Sequence, residues 1–267
     1  MIKKFALGIV SLSLAVAVQA SNLASDEADN SPYGGAHGWQ TLDNGGSGFG
    51  AWVFTNPGAG GPTGGFFIGS SSLNAGGSSG NIDTAGVSWG MYANSGLTSA
   101  AVRPLTGGSL AVGQEIKASI DNGFLDTGSS EGFGLQTSGG VNRLEFFFSG
   151  GDSSYRLADN SGANLTGIGF TGNGLSLAFT LTGTNTYSLD VTPNGGSTSN
   201  FTGTLEGVAG TGIDQMRFFD FNGGNNEGSN GDFFANSLQV VPEPSTWLAG
   251  AMTLGGCFYL RRRRHKA

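Results

Sequence analysis

The chain has 267 residues, of which 50 are glycine and only 12% are charged, and its formal net charge is −7. Apolar residues make up 37% of the sequence, so a chain kept unfolded by low hydrophobicity and high charge is excluded, and glycine follows no three-residue period, which excludes collagen. The central part, residues 21–241, holds five basic residues against 18 acidic ones, a net charge of −13, which disfavours nucleic-acid binding.

The first 20 residues have the pattern of a secretion signal. Lys3 and Lys4 precede an apolar run from Phe5 to Val18, and small residues follow at the exit of that run. This pattern predicts a Sec-type signal peptide over residues 1–20 that is cleaved after Ala20. The run is short for a helix that spans a bilayer, which favours cleavage over a retained anchor. The Sec machinery is therefore an expected partner.

Residues 21–48 are predicted to be a leader segment, and residues 49–241 to be the folded domain. Apolar and polar side chains alternate in Leu175–Leu181 and again in Tyr187–Val191, which indicates strands with one buried face. Thr182–Asn185, between them, suits a hairpin loop.

Short strand signals recur along the rest of the domain, separated by Gly, Ser and Asn turns. Met216–Phe221 is apolar on both faces and is predicted to be a central strand. The sequence shows no long segment with helical periodicity and no internal repeat, which disfavours a propeller or solenoid. The predicted fold is all-β, an antiparallel β-sandwich or jelly roll.

The order of several motifs is similar to that of concanavalin-like lectin and glucanase sandwiches. The stretches that carry this resemblance are VSWGMYA at 87–93, DNGFLDTG at 121–128 with GFGL at 132–135, and FFANSLQV at 233–240. The resemblance implies a fold and no particular activity.

The central part offers few residues for catalysis. Its one histidine, His37, lies in the glycine-rich leader, where a Ser-His-Asp triad would lack a rigid frame. The paired carboxylates of the sandwich glucanases are absent, and Glu145 is the nearest candidate. The alternative for Glu145 is a solvent-facing strand residue that pairs with Arg143 or with a cross-strand partner. No catalytic residue is assigned, and whether the chain is an enzyme stays open.

The densest group of oxygen-bearing side chains follows the predicted central strand. Such side chains on a glycine-rich loop are typical of calcium sites, although the spacing is not that of an EF-hand. The predicted calcium ligands are Asp220, Asn222, Asn225, Glu227 and Asp232. The alternative is a solvated turn, since turns use the same residues, and solubility is then the explanation for the acidity of the central part. Asp121, Asn122 and Asp126 form a second and weaker cluster.

Aromatic side chains could stack on sugar rings, with neighbouring polar groups binding the hydroxyls. Most of them are expected to be core residues, and Trp89 and Tyr92 should lie on opposite faces of one strand. The candidates are Trp39, Trp52, Trp89, Tyr92, Tyr155 and Tyr187.

The C-terminal tail, residues 242–267, has three parts in order. Pro242, Glu243 and Pro244 are followed by an apolar run from Trp247 to Leu260 that contains the only cysteine of the chain, and then by a basic cluster. The run predicts a short transmembrane helix, and the cluster places its end on the cytoplasmic side. The cluster comprises Arg261, Arg262, Arg263 and Arg264.

These three parts resemble the PEP-CTERM sorting tail of Gram-negative, exopolysaccharide-producing bacteria. The resemblance covers residues 241–267 and implies recognition by an exosortase-type membrane protease, followed by release or attachment at the cell surface. The prolines would hold Glu243 in an extended chain, open to a protease. The alternative is a plain tail anchor with a proline-rich stem.

The sequence therefore predicts an exported protein, first an intermediate anchored in the inner membrane and then a protein of the cell surface or extracellular matrix. The favoured function is non-catalytic contact with extracellular polysaccharide. A secreted glycan-active enzyme with unidentified carboxylates and a purely structural biofilm component are the alternatives.

Overall fold

A computed structural model describes residues 22–55, 64–73, 82–94, 96–223 and 228–242. The predicted signal peptide with its cleavage position at Ala20, and the predicted sorting tail after Pro242, lie outside these residues. Within the described part of the chain, no helix is both long enough and apolar enough to span a membrane.

The described residues form β-strands joined by short loops and two single turns of 3₁₀ helix. The strands are β1 (Ala24–Asp26), β2 (Val53–Thr55), β3 (Gly64–Gly69), β4 (Ser88–Ala93), β5 (Thr98–Pro104), β6 (Glu115–Asp121), β7 (Ser130–Gln136), β8 (Asn142–Ser149), β9 (Arg156–Asp159), β10 (Gly162–Leu165), β11 (Leu175–Leu181), β12 (Thr186–Pro193), β13 (Ser199–Thr204), β14 (Gln215–Phe221) and β15 (Phe233–Val241). The 3₁₀ turns are Ser71–Leu73 and Gly228–Gly231.

Two antiparallel sheets pack face to face, so the predicted all-β sandwich is confirmed. One sheet has eight strands in the order β13-β12-β11-β6-β15-β4-β3, with β1 also paired to β15. The other has seven strands in the order β10-β9-β8-β7-β14-β5-β2. The predicted hairpin joins β11 to β12, and β14 lies between β7 and β5, as expected for a strand that is apolar on both faces.

The core consists of the inward side chains of both sheets. Along β11, the residues Leu175, Leu177 and Phe179 are at most 2% exposed, whereas Ser176 between them is exposed. Strands with period-2 alternation bury one face in this way, and the sandwich closes both buried faces on each other.

Residues 22–48, which the sequence predicts to be a leader segment, contact this sandwich through a strand and through buried side chains. Strand β1 pairs with β15, and the Arg103 guanidinium, which is fully buried, lies 2.6 Å from a carboxylate oxygen of Asp26. Trp39 is 2% exposed in the core, whereas Leu42 is 76% exposed. The burial of this segment depends on partners that are distant in sequence.

Candidate functional site

The aromatic residues considered for sugar stacking are mostly core residues. Trp39 packs edge-on against Trp52, with ring centroids 5.0 Å apart, and Trp89 is fully buried beside them. Tyr155 and Tyr187 are at most 2% exposed. Tyr92 is partly exposed and lies on the face of β4 opposite to Trp89, as predicted.

The outer face of the seven-stranded sheet presents a different set of side chains, arranged in rows across the strands. Because β7 lies between β8 and β14, the register places Gly134 between Glu145 and Arg217. Two residues along the strand, the same register places Gly132 between Phe147 and Phe219. We call these residues the outer-face rows.

Glycine in the middle strand lets the flanking side chains meet across it. In the first row, Arg217 donates a hydrogen bond of 3.0 Å to Glu145, which leaves both side chains about one-fifth exposed. In the second row, the rings of Phe147 and Phe219 lie 6.3 Å apart, and the Arg217 guanidinium lies 4.5 Å from the Phe219 ring centre. The result is a sheltered surface with both an aromatic and a charged part.

A third row continues the surface with amides. The Gln215 side chain donates to that of Gln136 at 3.2 Å, and Gln136 in turn donates to Asn142 at 2.7 Å. Aromatic, charged and amide groups thus follow one another along the strands, about 7 Å from row to row.

The outer-face rows settle the partner of Glu145. Its partner is Arg217 on β14, which is a cross-strand residue, whereas Arg143 hydrogen-bonds to Asn185 at 2.6 Å. Burial raises the pKa of Glu145, while the positive charge of Arg217 acts in the opposite direction. Glu145 is engaged in an ion pair with Arg217. An acid catalyst, by contrast, must carry a proton and pass it to a leaving group.

A second polar site lies inside the sandwich, where β7 begins and the neighbouring antiparallel strand β14 ends. Glu131 and Asp220 are directly opposite each other on these neighbouring strands. Both point inward, because Glu131 shares its strand face with Phe133, and Asp220 shares its face with Phe218. Glu131 is 1% exposed and Asp220 is 0% exposed.

The two carboxyl groups differ in their hydrogen bonds. Asp220 accepts from the backbone N–H of Gly223 at 2.8 Å and from that of Ala93 at 3.1 Å. Neither oxygen of Glu131 has a hydrogen bond of normal geometry from any described residue, although the Gly123 amide and the Asp220 carboxyl group both lie near enough to act on it.

Burial and neighbouring negative charge determine the protonation of this site. Burial raises the pKa of Glu131 well above its ordinary value, and the charges of Asp220 and Asp232 raise it further. Burial also raises the pKa of Asp220, against the effect of its two backbone donors, and raises the pKa of Asp232 to about 7. The site therefore needs a proton or another positive charge at neutral pH.

The oxygens of this site converge on Gly223. A Cβ atom placed on Gly223 would lie 2.7 Å from Asp220 Oδ1, 2.9 Å from the Gly231 carbonyl oxygen, and closer still to Glu131 Oε1. Any side chain at this position would therefore collide with these oxygens. We call Glu131, Asp220 and the Gly231 carbonyl the oxygen cradle.

The structure brings together only part of the predicted calcium set. Asp220 and Asp232 lie at the cradle, but the Asn222 side chain accepts from the Gly96 amide at 2.7 Å and donates to Ser129. Asn225 and Glu227 lie outside the described residues. Across the described ranges, no three His, Cys, Asp or Glu side chains form a metal-binding group by themselves, so a cation here would also need main-chain oxygens.

Glu131 was not among the predicted calcium ligands, although its position on the strand is unusual for an acidic residue. It continues the inward face of Phe133 and Leu135, where a carboxyl group is unexpected. Of the second predicted cluster, Asp121 and Asn122 are buried, and the Tyr155 hydroxyl donates to Asn122. These two residues therefore belong to the interior.

His37 has a structural partner. Its Nε2 lies 2.8 Å from Asp43 Oδ1, and the other Asp43 oxygen accepts from the Gln40 amide at 2.8 Å. This contact orders the turn that precedes β2.

No protein-family model matches this chain, and no curated protein sequence matches it. It is similar in structure to a carbohydrate esterase of the Shiga toxin-encoding bacteriophage phi24B, at 16% identity and a TM-score of 0.49 over 84% of this chain and 100% of the other. It is also similar to a Shewanella oneidensis protein of unknown function, at 10% identity and a TM-score of 0.46 over 88% and 97% of the two chains.

An alginate lyase from Aplysia kurodai is a further similar structure, at 14% identity and a TM-score of 0.41 over 61% of this chain and 85% of the lyase. At these values the likeness concerns the arrangement of strands and not particular residues.

Proposed function

We propose that this chain is an exported bacterial protein of the cell surface or extracellular matrix whose sandwich binds extracellular polysaccharide without cleaving it. The observation that carries the binding proposal is the set of outer-face rows. They place an aromatic pair, an ion pair and an amide row side by side on one sheet face.

Each row offers a type of contact that sugars use. The faces of sugar rings are apolar and stack on aromatic side chains such as Phe147, whereas hydroxyl groups exchange hydrogen bonds with amide and charged side chains. The ion pair and the amide row are already ordered by mutual hydrogen bonds, so little side-chain entropy is lost when a ligand binds. A chain of sugars laid along the strands would meet all three rows.

The export proposal depends on the two ends of the sequence. The signal-peptide pattern and the tail that resembles PEP-CTERM sorting tails both support passage through the inner membrane, with an exosortase-type protease as partner at the C-terminus. The acidic central part, which has a net charge of −13, supports a polysaccharide partner over nucleic acid.

The test is a binding measurement with immobilised polysaccharides on a glycan array. We expect the exported protein to bind at least one acidic or neutral polysaccharide, and the Phe147→Ala variant to bind it about tenfold more weakly because the stacking surface is lost. Lys117→Ala, on the outer face of the other sheet, is the matched control and should bind as the wild type does.

Two other results would replace this proposal. Release of shortened or unsaturated sugars from the bound polysaccharide would make the chain a glycan-active enzyme. Absence of binding to every polysaccharide tested would favour a purely structural role in the biofilm.

A further inference from the structure

We propose that the oxygen cradle is a calcium site, in which Glu131 and Asp220 hold the ion together with the carbonyl oxygen of Gly231. This site differs from the loop site that the sequence predicts, because one of its ligands, Glu131, comes from strand β7. It is also distinct from the outer-face rows, which lie on the opposite side of the seven-stranded sheet.

The first argument is the pairing of like charges. Glu131 and Asp220 are directly opposite on adjacent strands, an arrangement that destabilises a sheet when both groups are ionised. The described ion pairs include no Lys or Arg bound to either carboxyl group, and the third acid that acts on both is Asp232. A proton or a cation is needed in this place, and no basic side chain of the described residues provides the charge.

The second argument is the orientation of Glu131. Its side chain is fully buried, lies against Gly223, and receives no hydrogen bond of normal geometry from the described residues, although the Gly123 amide and the Asp220 carboxyl group act on it. Buried polar groups nearly always have a partner, so a buried carboxyl group without a normal donor, set among other oxygens, indicates a shared proton or a bound cation. Asp220 Oδ1 and the Gly231 carbonyl lie beside the same glycine and come from two other segments.

The third argument is the chemistry of the ligands. Carboxylate and peptide carbonyl oxygens are hard ligands that suit calcium, and calcium accepts an irregular set of six to eight oxygens that includes waters. Magnesium demands near-ideal octahedral geometry, which a site built from two strands and a 3₁₀ turn is poorly suited to supply. Zinc favours imidazole and thiolate, and no histidine or cysteine lies at the cradle among the described residues.

A calcium ion in the cradle would tie three segments together. Glu131 lies at the start of β7, Asp220 lies near the end of β14, and Gly231 closes the 3₁₀ turn that leads into β15. The ion would therefore join the two central strands of one sheet to a strand of the other. Its main effect should be on stability.

The test is thermal unfolding of the purified protein with calcium chloride, with magnesium chloride and with chelator. We expect calcium, at about 100-fold above its dissociation constant, to raise the Tm by about 5 to 10 °C, and magnesium to raise it much less. Isothermal titration calorimetry with calcium chloride should show one site per chain.

The deciding variant is Glu131→Gln, which keeps the shape of the side chain and removes its charge. We expect it to lose the calcium shift while its Tm in chelator equals or exceeds that of the wild type, because the repulsion with Asp220 is gone. Asp29→Asn, at an exposed position, is the matched control and should keep the full shift.

Two outcomes would overturn the proposal. A wild-type Tm that does not respond to calcium would mean that a proton shared by the two carboxyl groups is the natural occupant. A calcium shift that survives Glu131→Gln would place the ion elsewhere, with the loop residues of the sequence prediction as the alternative. Because the readout is stability, either result leaves the polysaccharide proposal untouched.

Discussion

Asp83 shows how one carboxylate organises a loop of this protein. It accepts hydrogen bonds from the Ser70 hydroxyl at 2.6 Å, the Ser71 amide at 2.9 Å and the Ser88 hydroxyl at 2.7 Å. Burial favours the neutral acid, but the hydrogen bonds outweigh burial, and the pKa of Asp83 is lowered from 3.8. One side chain thus joins the end of β3 to the start of β4.

The lowered pKa of Asp83 determines how its contribution to stability changes with pH. Ionised Asp83 stabilises the fold above the pKa of the unfolded chain, and this contribution is lost as the pH falls through the folded-state pKa. We expect Asp83→Asn to lower the free energy of unfolding by about 1 kcal/mol at pH 7, a modest value because the carboxyl group is partly solvated. Urea unfolding at about pH 7 and about pH 3 measures this difference.

At the lower pH the deficit of the variant should be smaller, since protonation of Asp83 in the unfolded wild type removes part of the difference between the two proteins. Asp29→Asn is the control and should change stability little at either pH. An Asp83→Asn deficit that stays constant with pH would contradict the assignment.

At the scale of the element, β7 is the strand on which both sites depend. Its inward face carries Glu131 toward the oxygen cradle, and its outward face carries Gly132 and Gly134, which let side chains of β8 and β14 meet above it. Successive residues of a strand point to opposite faces, so one short segment can serve two sites on the two sides of a sheet.

Gly132 and Gly134 differ in how much room there is for a Cβ atom at each position. A Cβ on Gly132 would lie 2.5 Å from Phe147 Cβ and closer still to the backbone oxygen of Phe146, so the neighbouring strand would have to shift. A Cβ on Gly134 would meet its nearest neighbour, Glu145 Cγ, at 3.4 Å, which is ordinary contact. We expect Gly132→Ala to cost about 1–3 kcal/mol of unfolding free energy and Gly134→Ala less than about 0.5 kcal/mol.

Chemical denaturation of both variants beside the wild type tests this contrast. Gly134→Ala is the matched control, because it makes the same substitution in the same strand and on the same face. Equal losses in the two variants would show that glycine is needed for strand conformation and not for the close approach of β8.

At the scale of the whole molecule, both sheets draw on distant parts of the chain. Strand β1 pairs with β15, the last of the described strands. The first and last strands of the described part therefore lie side by side.

The export proposal predicts the form of the protein outside the cell. In a bacterium that has an exosortase-type protease, we expect intact-mass analysis of the surface fraction to find a chain that begins at Ser21 and lacks the apolar run and the arginine cluster. Glu243→Ala should leave the tail uncut and the protein in the inner membrane, whereas the control Glu206→Ala, within the sandwich, should be processed normally.

Full-length chain in the cytosol, with its first 20 residues still attached, would contradict the export proposal. Loss of the tail from the Glu243→Ala variant would contradict the proposed role of that motif.

Much of the strand content was predictable because alternation is a local property. Leu175–Leu181 and its hairpin partner read as strands with one buried face, and the apolar character of both faces of Met216–Phe221 marked a central strand. The weak points of the prediction were the elements whose partners are far away in sequence, such as β1 and the buried Asp26.

The candidate calcium site was likewise predictable only in part from the sequence. The sequence marked Asp220 and Asp232 because oxygen-bearing residues cluster around them, but it could not mark Glu131, which reaches Asp220 only through the pairing of β7 with β14.

The sequence alone determined the all-β class, the alternating strands and the predicted export signals, because composition and side-chain period act over a few residues. Only the tertiary structure decided the order of strands in each sheet, the three outer-face rows and the convergence of oxygens beside Gly223. Strand pairing is long-range, and the register between two strands, which no local pattern specifies, decides which side chains become neighbours.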